Sequence, residues 1–256
     1  MDPVDGVQLH TREWGTGDRV AVLLHGMMAD SRAWWRVGPA LARRGYRVIA
    51  VDLPGHGKSP RCADSTVESF VAALVHSVPA APALAIGHSM GGVILAAAAG
   101  RLRPERVVYV DTTFEGDLDP DPATLTRWYA TAKKERTLEY LLRERSWWSE
   151  QDMASEVEAV KSFDVATAVS LCLSSAGRDF TPATDVPSLV VRAHPSQYVT
   201  PDVVANMPAQ GFTVRSVPGA GHCVWFGFFD AFMESLDGWA DSPSETASKE
   251  NARKTR

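Results

Sequence analysis

A serine becomes a usable nucleophile only when its hydroxyl is held clear of the surrounding backbone. Gly87-His88-Ser89-Met90-Gly91 has the residues for that. It lies where an apolar strand, Ala83 to Ile86, runs into an Ala-rich helix, Gly92 to Gly100. A serine on such a sharp strand-to-helix turn projects its hydroxyl outward, and the following backbone N–H groups point the same way. The hydroxyl also needs a base. Among seven histidines, His222 ends the run Val217-Pro218-Gly219-Ala220-Gly221 directly after the last predicted strand, where Gly and Pro let the chain turn the imidazole over the sheet edge. His25 and His56 stand in tight Gly-containing turns and are expected to hold loops, and His88 to point to the other side of the turn. Acyl transfer through a tetrahedral intermediate needs two convergent N–H donors. Met90 offers one, and Met27, in the loop after His25-Gly26, is the leading candidate for the other, with Met28 next.

The elements that must position these residues follow a rhythm. Val20 to Leu24, Arg47 to Val51, Ala83 to Ile86, Val107 to Val110, Leu189 to Val191 and Phe212 to Val217 are short, continuously apolar runs. Helical patterns separate them at Ser31 to Arg44, Ser65 to Val78, Gly91 to Leu102, Pro201 to Met207 and Phe228 to Trp239. Apolar strands alternating with amphipathic helices predict an α/β fold with a parallel sheet covered on both faces. Val7 to Trp14 is expected to form an antiparallel entry strand. From Leu118 to Phe180 the strand signal stops and helical periodicity takes over, which predicts a helical cap (118–180) inserted into a core of residues 1–117 and 181–241. The polar tail, 242–256, has no apolar periodicity and is expected to be disordered.

With 256 residues, 45% hydrophobic and 22% charged, the chain suits one globular core rather than two. A net charge of −5 with scattered Lys and Arg disfavours nucleic acid as a partner. Three cysteines without paired spacing indicate neither a disulfide framework nor a zinc site. With no leader pattern and no run long enough to span a membrane, the expected setting is the cytoplasm, with no membrane partner, as monomer or homodimer.

Taken in order, His25-Gly26, Trp34, Val51-Asp52-Leu53-Pro54-Gly55-His56-Gly57-Lys58-Ser59, the Ser89 motif and Pro218-Gly219-Ala220-Gly221-His222 resemble the α/β-hydrolase superfamily, in particular its capped esterase, lactonase and carbon-carbon-bond hydrolase branch. The resemblance implies an eight-stranded, mostly parallel sheet and a Ser-acid-His triad, with Asp52 as a structural turn residue. Many members carry the acid after the strand equivalent to Leu189 to Val191, but here Ala193-His194-Pro195-Ser196 offers a serine there. Some relatives carry it one strand earlier. Asp111 is therefore the chosen acid, Glu115 the runner-up, Asp202 a weaker third, and Ser196 a candidate fourth member. Trp34, Phe114, Trp128, Trp147, Trp148, Cys172 and Trp225 are the candidates to line an apolar pocket.

The expected activity is hydrolysis of a small or medium apolar carboxylic ester, lactone or thioester through an acyl-enzyme, with no metal or organic cofactor. Acyl transfer, cyclisation or carbon-carbon bond hydrolysis with the same triad, and a non-catalytic small-molecule-binding role, are the alternatives.

Overall fold

The computed structural model describes residues 7–117, 119–183 and 185–241. Each strand is a short apolar run, and together they make one sheet in the order β1-β3-β2-β4-β5-β6-β7. The strands are β1 (Thr11–Trp14), β2 (Arg19–Leu24), β3 (Tyr46–Val51), β4 (Leu84–His88), β5 (Val107–Val110), β6 (Ser188–His194) and β7 (Phe212–Pro218). Only β1 runs antiparallel, against β3. Among the described residues the sheet has seven strands, one fewer than the resemblance implies. Leu9 N–H donates to Ser77 Oγ and His10 N–H to Ser59 Oγ, and the entry strand begins at Thr11 rather than at Val7.

Period-two alternation decides which way each strand residue faces. Val22, Leu24, Ile49 and Val51 join a core layer with Phe70 and Leu74 of α2 (Val67–Ser77) and with Ile94 and Leu95 of α3 (Met90–Leu102). Ala21, Leu23, Val48 and Ala50 face the opposite layer, with Val37 and Leu41 of α1 (Val37–Arg43) and Phe232 and Met233 of α9 (Phe229–Ser235). Burying both faces is what allows a parallel sheet to be apolar along its whole length.

Four helices fill the stretch between β5 and β6: α4 (Pro122–Glu135), α5 (Leu138–Glu144), α6 (Glu150–Ser162) and α7 (Val165–Ser175). Caps start each of them. The side chains of Asp121, Thr137, Ser149 and Asp164 accept from the N–H groups of Thr124, Tyr140, Asp152 and Thr167. A single bridge between Glu115 and Asp179 closes the neck of this insertion. Helix α6 packs on the 3₁₀ turn Ser31–Trp34 that follows β2, and Met28 sits in a small cluster with Tyr129, Val160 and Phe163 of the insertion. The short α8 (Pro201–Asn206) precedes β7. The tail expected to be disordered lies outside the described residues, as do Leu118 and Thr184.

Strand order reverses at β2, whose neighbours are β3 on one side and β4 on the other. At such a switch point the loops leaving adjacent strands diverge and open a crevice at the carboxyl edge. Ser89, at the end of β4, stands there.

The crossing of α3 over β2 leaves no room for a side chain at Gly91. A Cβ there would fall 2.5 Å from the carbonyl oxygen of His25 and 2.6 Å from that of Leu24, both backbone atoms. Gly91→Ala is expected to lower stability by about 1–3 kcal/mol, the usual cost of overpacking. Urea unfolding checks this, and an unchanged midpoint would show that the helix can lift without cost.

Candidate active site

Local sequence sets three strained backbones along one edge. Met28 in the turn after β2, Ser89 after β4 and Asp111 after β5 all have positive φ, at 66°, 50° and 44°. Non-glycine residues adopt this region at a cost, which the surrounding structure must offset. At Ser89 the offsets are visible. Its N–H donates to Val110 O at 3.0 Å, and its carbonyl accepts from Gly92 N at 2.8 Å and Val93 N at 3.2 Å. Its Oγ makes no hydrogen bond within the described residues and faces a cavity. Gly26 lies against the turn, where a Cβ would come within 2.6 Å of His88 Nδ1 and 3.2 Å of Ser89 Cβ.

Asp111 is 1% exposed. Its Oδ2 accepts from His222 Nδ1 at 2.8 Å and its Oδ1 from Ala193 N–H at 3.1 Å, while its own N–H donates to Val191 O. A carboxylate acceptor requires the proton on Nδ1, so the Nε2 lone pair of His222 is left free. The structure thus brings Asp111, rather than Glu115 or Asp202, to the imidazole. Glu115 lines the cavity near Ser89 and Asp202 lies exposed in the first turn of α8. Ser196 serves its own loop: its Oγ accepts from the N–H groups of Tyr198 and Val199, and it bonds neither Asp111 nor His222.

The N–H groups of Met27 and Met90 have no hydrogen-bond partner within the described residues. Met90 begins α3, whose N-terminus adds the partial positive charge of the helix dipole.

The predicted loop histidines are tied down as neutral rings. His25 Nδ1 donates to Gly26 O at 2.8 Å and its Nε2 accepts from Leu53 N–H at 2.9 Å, which only a neutral imidazole can do. His56 Nδ1 donates to Pro54 O. His88 donates from Nε2 to the carbonyl of His222 at 2.9 Å, and its ring lies 4.6 Å from the His222 ring, so it stands beside that imidazole. Asp52 accepts from Ser31 N–H at 2.7 Å and Lys58 N–H at 2.9 Å, binding two loops at the strand ends.

Two features carry no motif. The ring of Tyr198 lies 4.1 Å from that of His222 at 32°, covering the imidazole from the loop after β6. An aromatic two residues past Ser196 was the only available signal. The second is an ion pair in the insertion, buried Glu156 with half-buried Arg136 at 2.5 Å. Burial pushes the Glu156 carboxyl above its ordinary range, and Arg136 pulls against that.

The candidates for a pocket separate. Phe114 lines the cavity with Ser89. Trp34 and Trp225 are core, stacked on each other at 4.2 Å and 15°, with Trp225 Nε1 donating to Ala33 O. Trp148 packs edge-on against Phe226. Trp128 and Trp147 are 57% and 47% exposed. Cys172 contacts the Tyr129 hydroxyl at 3.3 Å within the insertion. Among the described residues, no group of three or more His, Cys, Asp and Glu side chains is arranged to hold a metal ion, and no helix is long and apolar enough to cross a membrane.

Comparison with known proteins agrees with this arrangement at the level of the family. A profile described as the alpha/beta hydrolase family matches residues 21–234. The chain belongs to that family. It is 43% identical over 98 residues to the dihydrolipoyllysine-residue acetyltransferase component of the acetoin cleaving system of Pseudomonas putida, covering 36% of this chain and 26% of that protein. It is 40% identical over 93 residues to a pimeloyl-[acyl-carrier protein] methyl ester esterase of Methylococcus capsulatus, covering 36% and 35%. These matches span about a quarter to a third of the relatives' own lengths. Among solved structures, an N-formylmaleamic acid deformylase from Pseudomonas putida superposes with a TM-score of 0.74 at 19% identity, over 91% of this chain and 97% of that one. At that identity the likeness concerns the fold.

Burial lowers the pKa of His25 and His88 and brings that of His56 down to about 3, from an ordinary value of 6.5. The folded protein therefore refuses protons that the unfolded chain accepts below about pH 6.5. Stability from these rings is complete above that value and falls as pH drops toward the folded pKa, by about 1.4 kcal/mol per pH unit for each ring. Urea midpoints measured from pH 7.5 to 5 should decline, and a flat profile would mean that the rings gain protons in place.

Proposed function

We propose that this protein is a serine hydrolase that cleaves a small apolar carboxylic ester, lactone or thioester by way of an acyl-enzyme. The hydrogen bond from His222 Nδ1 to the buried Asp111 carboxylate carries the reading, because it fixes the tautomer that makes Nε2 a base at the rim where Ser89 stands. Ser89 Oγ attacks the carbonyl carbon and its proton passes to His222 Nε2. The oxygen that becomes negative is held by the N–H groups of Met27 and Met90, both free of other partners. His222 returns the proton to the leaving alcohol or thiol. Water then attacks the acyl-enzyme by the same route in reverse, and Ser89 is regenerated.

In this reading Asp111 orients the ring and stabilises the imidazolium without taking its proton. Tyr198 keeps the ring from swinging into solvent. The bond between Ser89 and His222 forms when substrate fills the site, as catalytic contacts tighten in the reacting complex. The helices from Pro122 to Ser175 act as the cap, and α6 steadies the oxyanion loop by packing on the turn that follows it. The relatives named esterase support an ester as substrate class.

Ser89→Ala should abolish both turnover of p-nitrophenyl butyrate and covalent labelling by a fluorophosphonate. Asp111→Asn should keep the fold and lower kcat by about 10⁴-fold, since the amide favours the wrong tautomer. Stoichiometric labelling without turnover of any ester or thioester would instead favour the non-catalytic binding role.

A further inference from the structure

We propose, resting on the hydrolase reading, that His88 is a positioning residue for the reaction: it ties the loop of the base, His222, to the turn that carries the nucleophile.

His222 stands on a stretch with few holds of its own. It belongs to no helix or strand, and among the described residues its N–H donates to nothing. Its side chain has one hydrogen bond, to Asp111, and its carbonyl has one, from His88 Nε2 at 2.9 Å. The Asp111 bond fixes the tautomer, but a ring held at a single point can still tilt about it. A second hold, on the backbone of the same residue, restricts that freedom, and small errors in the placing of a base are costly. The rings of His88 and His222 are also in contact, with centroids 4.6 Å apart at 49°.

His88 itself has little room to move. It is 3% exposed and ends β4, one residue before Ser89. Its ring stands edge-on to Trp225 at 5.0 Å, and Trp225 is stacked on Trp34 and hydrogen-bonded to Ala33 O. The ring also lies against Gly26, where a Cβ would come within 2.6 Å of Nδ1 and 2.9 Å of Cε1. Gly26 directly precedes Met27. One buried ring therefore adjoins Ser89 in the chain, packs beside the Met27 loop and holds the loop of His222.

A histidine suits this place because it can donate without charge. Donation to a carbonyl places the proton on Nε2, and burial holds the His88 pKa well below its ordinary value, so the ring is neutral. His222 becomes a cation when it takes the serine proton, and a second cation 4.6 Å away would oppose that transfer. A lysine or arginine could make the same bond only at that cost.

Two substitutions separate the hydrogen bond from the packing. His88→Phe keeps a ring and removes the donor, whereas His88→Gln sets an amide donor near the place of Nε2. With p-nitrophenyl butyrate, His88→Phe should lower kcat by about tenfold or more, with KM within about twofold of wild type, and His88→Gln should recover most of the loss. The low-field NMR resonance of the proton between His222 and Asp111 should be sharp in wild type and His88→Gln and broadened in His88→Phe. A His88→Phe enzyme with wild-type kcat and a sharp resonance, or a His88→Gln enzyme no better than His88→Phe, overturns the proposal while leaving the hydrolase reading intact. Should neither variant fold, nitrogen NMR of labelled histidines in the wild type decides: His88 should be neutral with its proton on Nε2 from about pH 6 to 8, and a proton on Nδ1 overturns the proposal. Wild-type enzyme that cleaves no ester or thioester above the Ser89→Ala background removes both readings.

Discussion

Burying the Asp111 carboxylate is the constraint around which the carboxyl edge of the sheet is organised. A buried carboxylate is costly unless each oxygen is engaged. Here one oxygen takes an N–H from the β6 strand and the other takes the His222 ring, so a single side chain joins the ends of β5, β6 and the loop after β7. The positive φ of Asp111 is the local cost of aiming that carboxylate. The same edge carries positive φ at Ser89 and Met28, so three of the six non-glycine residues with positive φ among those described stand at strand ends that face the crevice. The stiff, twice-covered sheet below them supplies the support that holds such conformations.

The insertion meets this edge with directional bonds as much as with apolar area. Trp35 Nε1 donates to the buried Asp152 at 3.0 Å, and Arg32, which donates two hydrogen bonds to Asp30 Oδ2, reaches the carbonyl of Glu158 at 3.3 Å. Both partners on the core side belong to the turn after the Met27 loop. The loop is thereby held between strand β2 and helix α6.

Backbone roles were legible in the sequence, and side-chain neighbourhoods were not. Gly91 and the apolar run before Ser89 state a strand-to-helix turn by their own sterics, and Gly and Pro before His222 state a loop, so the turn at Ser89 and the loop that carries His222 could be read without coordinates. Asp111 needed the resemblance as well, because a carboxylate at a strand end acquires its meaning only from the ring it meets 111 positions later. Trp34 and Trp225 show the limit: an indole reads alike whether it lines a pocket or stacks in the core, and here the two bury each other. Tyr198 escaped notice for the opposite reason, since one exposed aromatic in a loop has no period and no partner in sequence. The entry strand expected from Val7 begins only at Thr11, where the donors of Leu9 and His10 have gone to Ser77 and Ser59, a tertiary choice invisible in a local pattern.

The bonding of α6 to the turn behind Met27 has a consequence for how this chain can diverge. Directional contacts transmit small displacements that a greasy interface would absorb, so a substitution in α6 reaches the Met27 amide as well as the roof above it. Under the proposed chemistry, a descendant that reshapes the roof to admit a new guest also retunes the stabilisation of the negative oxygen. Changes of taste and changes of speed would then travel together, unless the walls beyond Phe114 are altered instead.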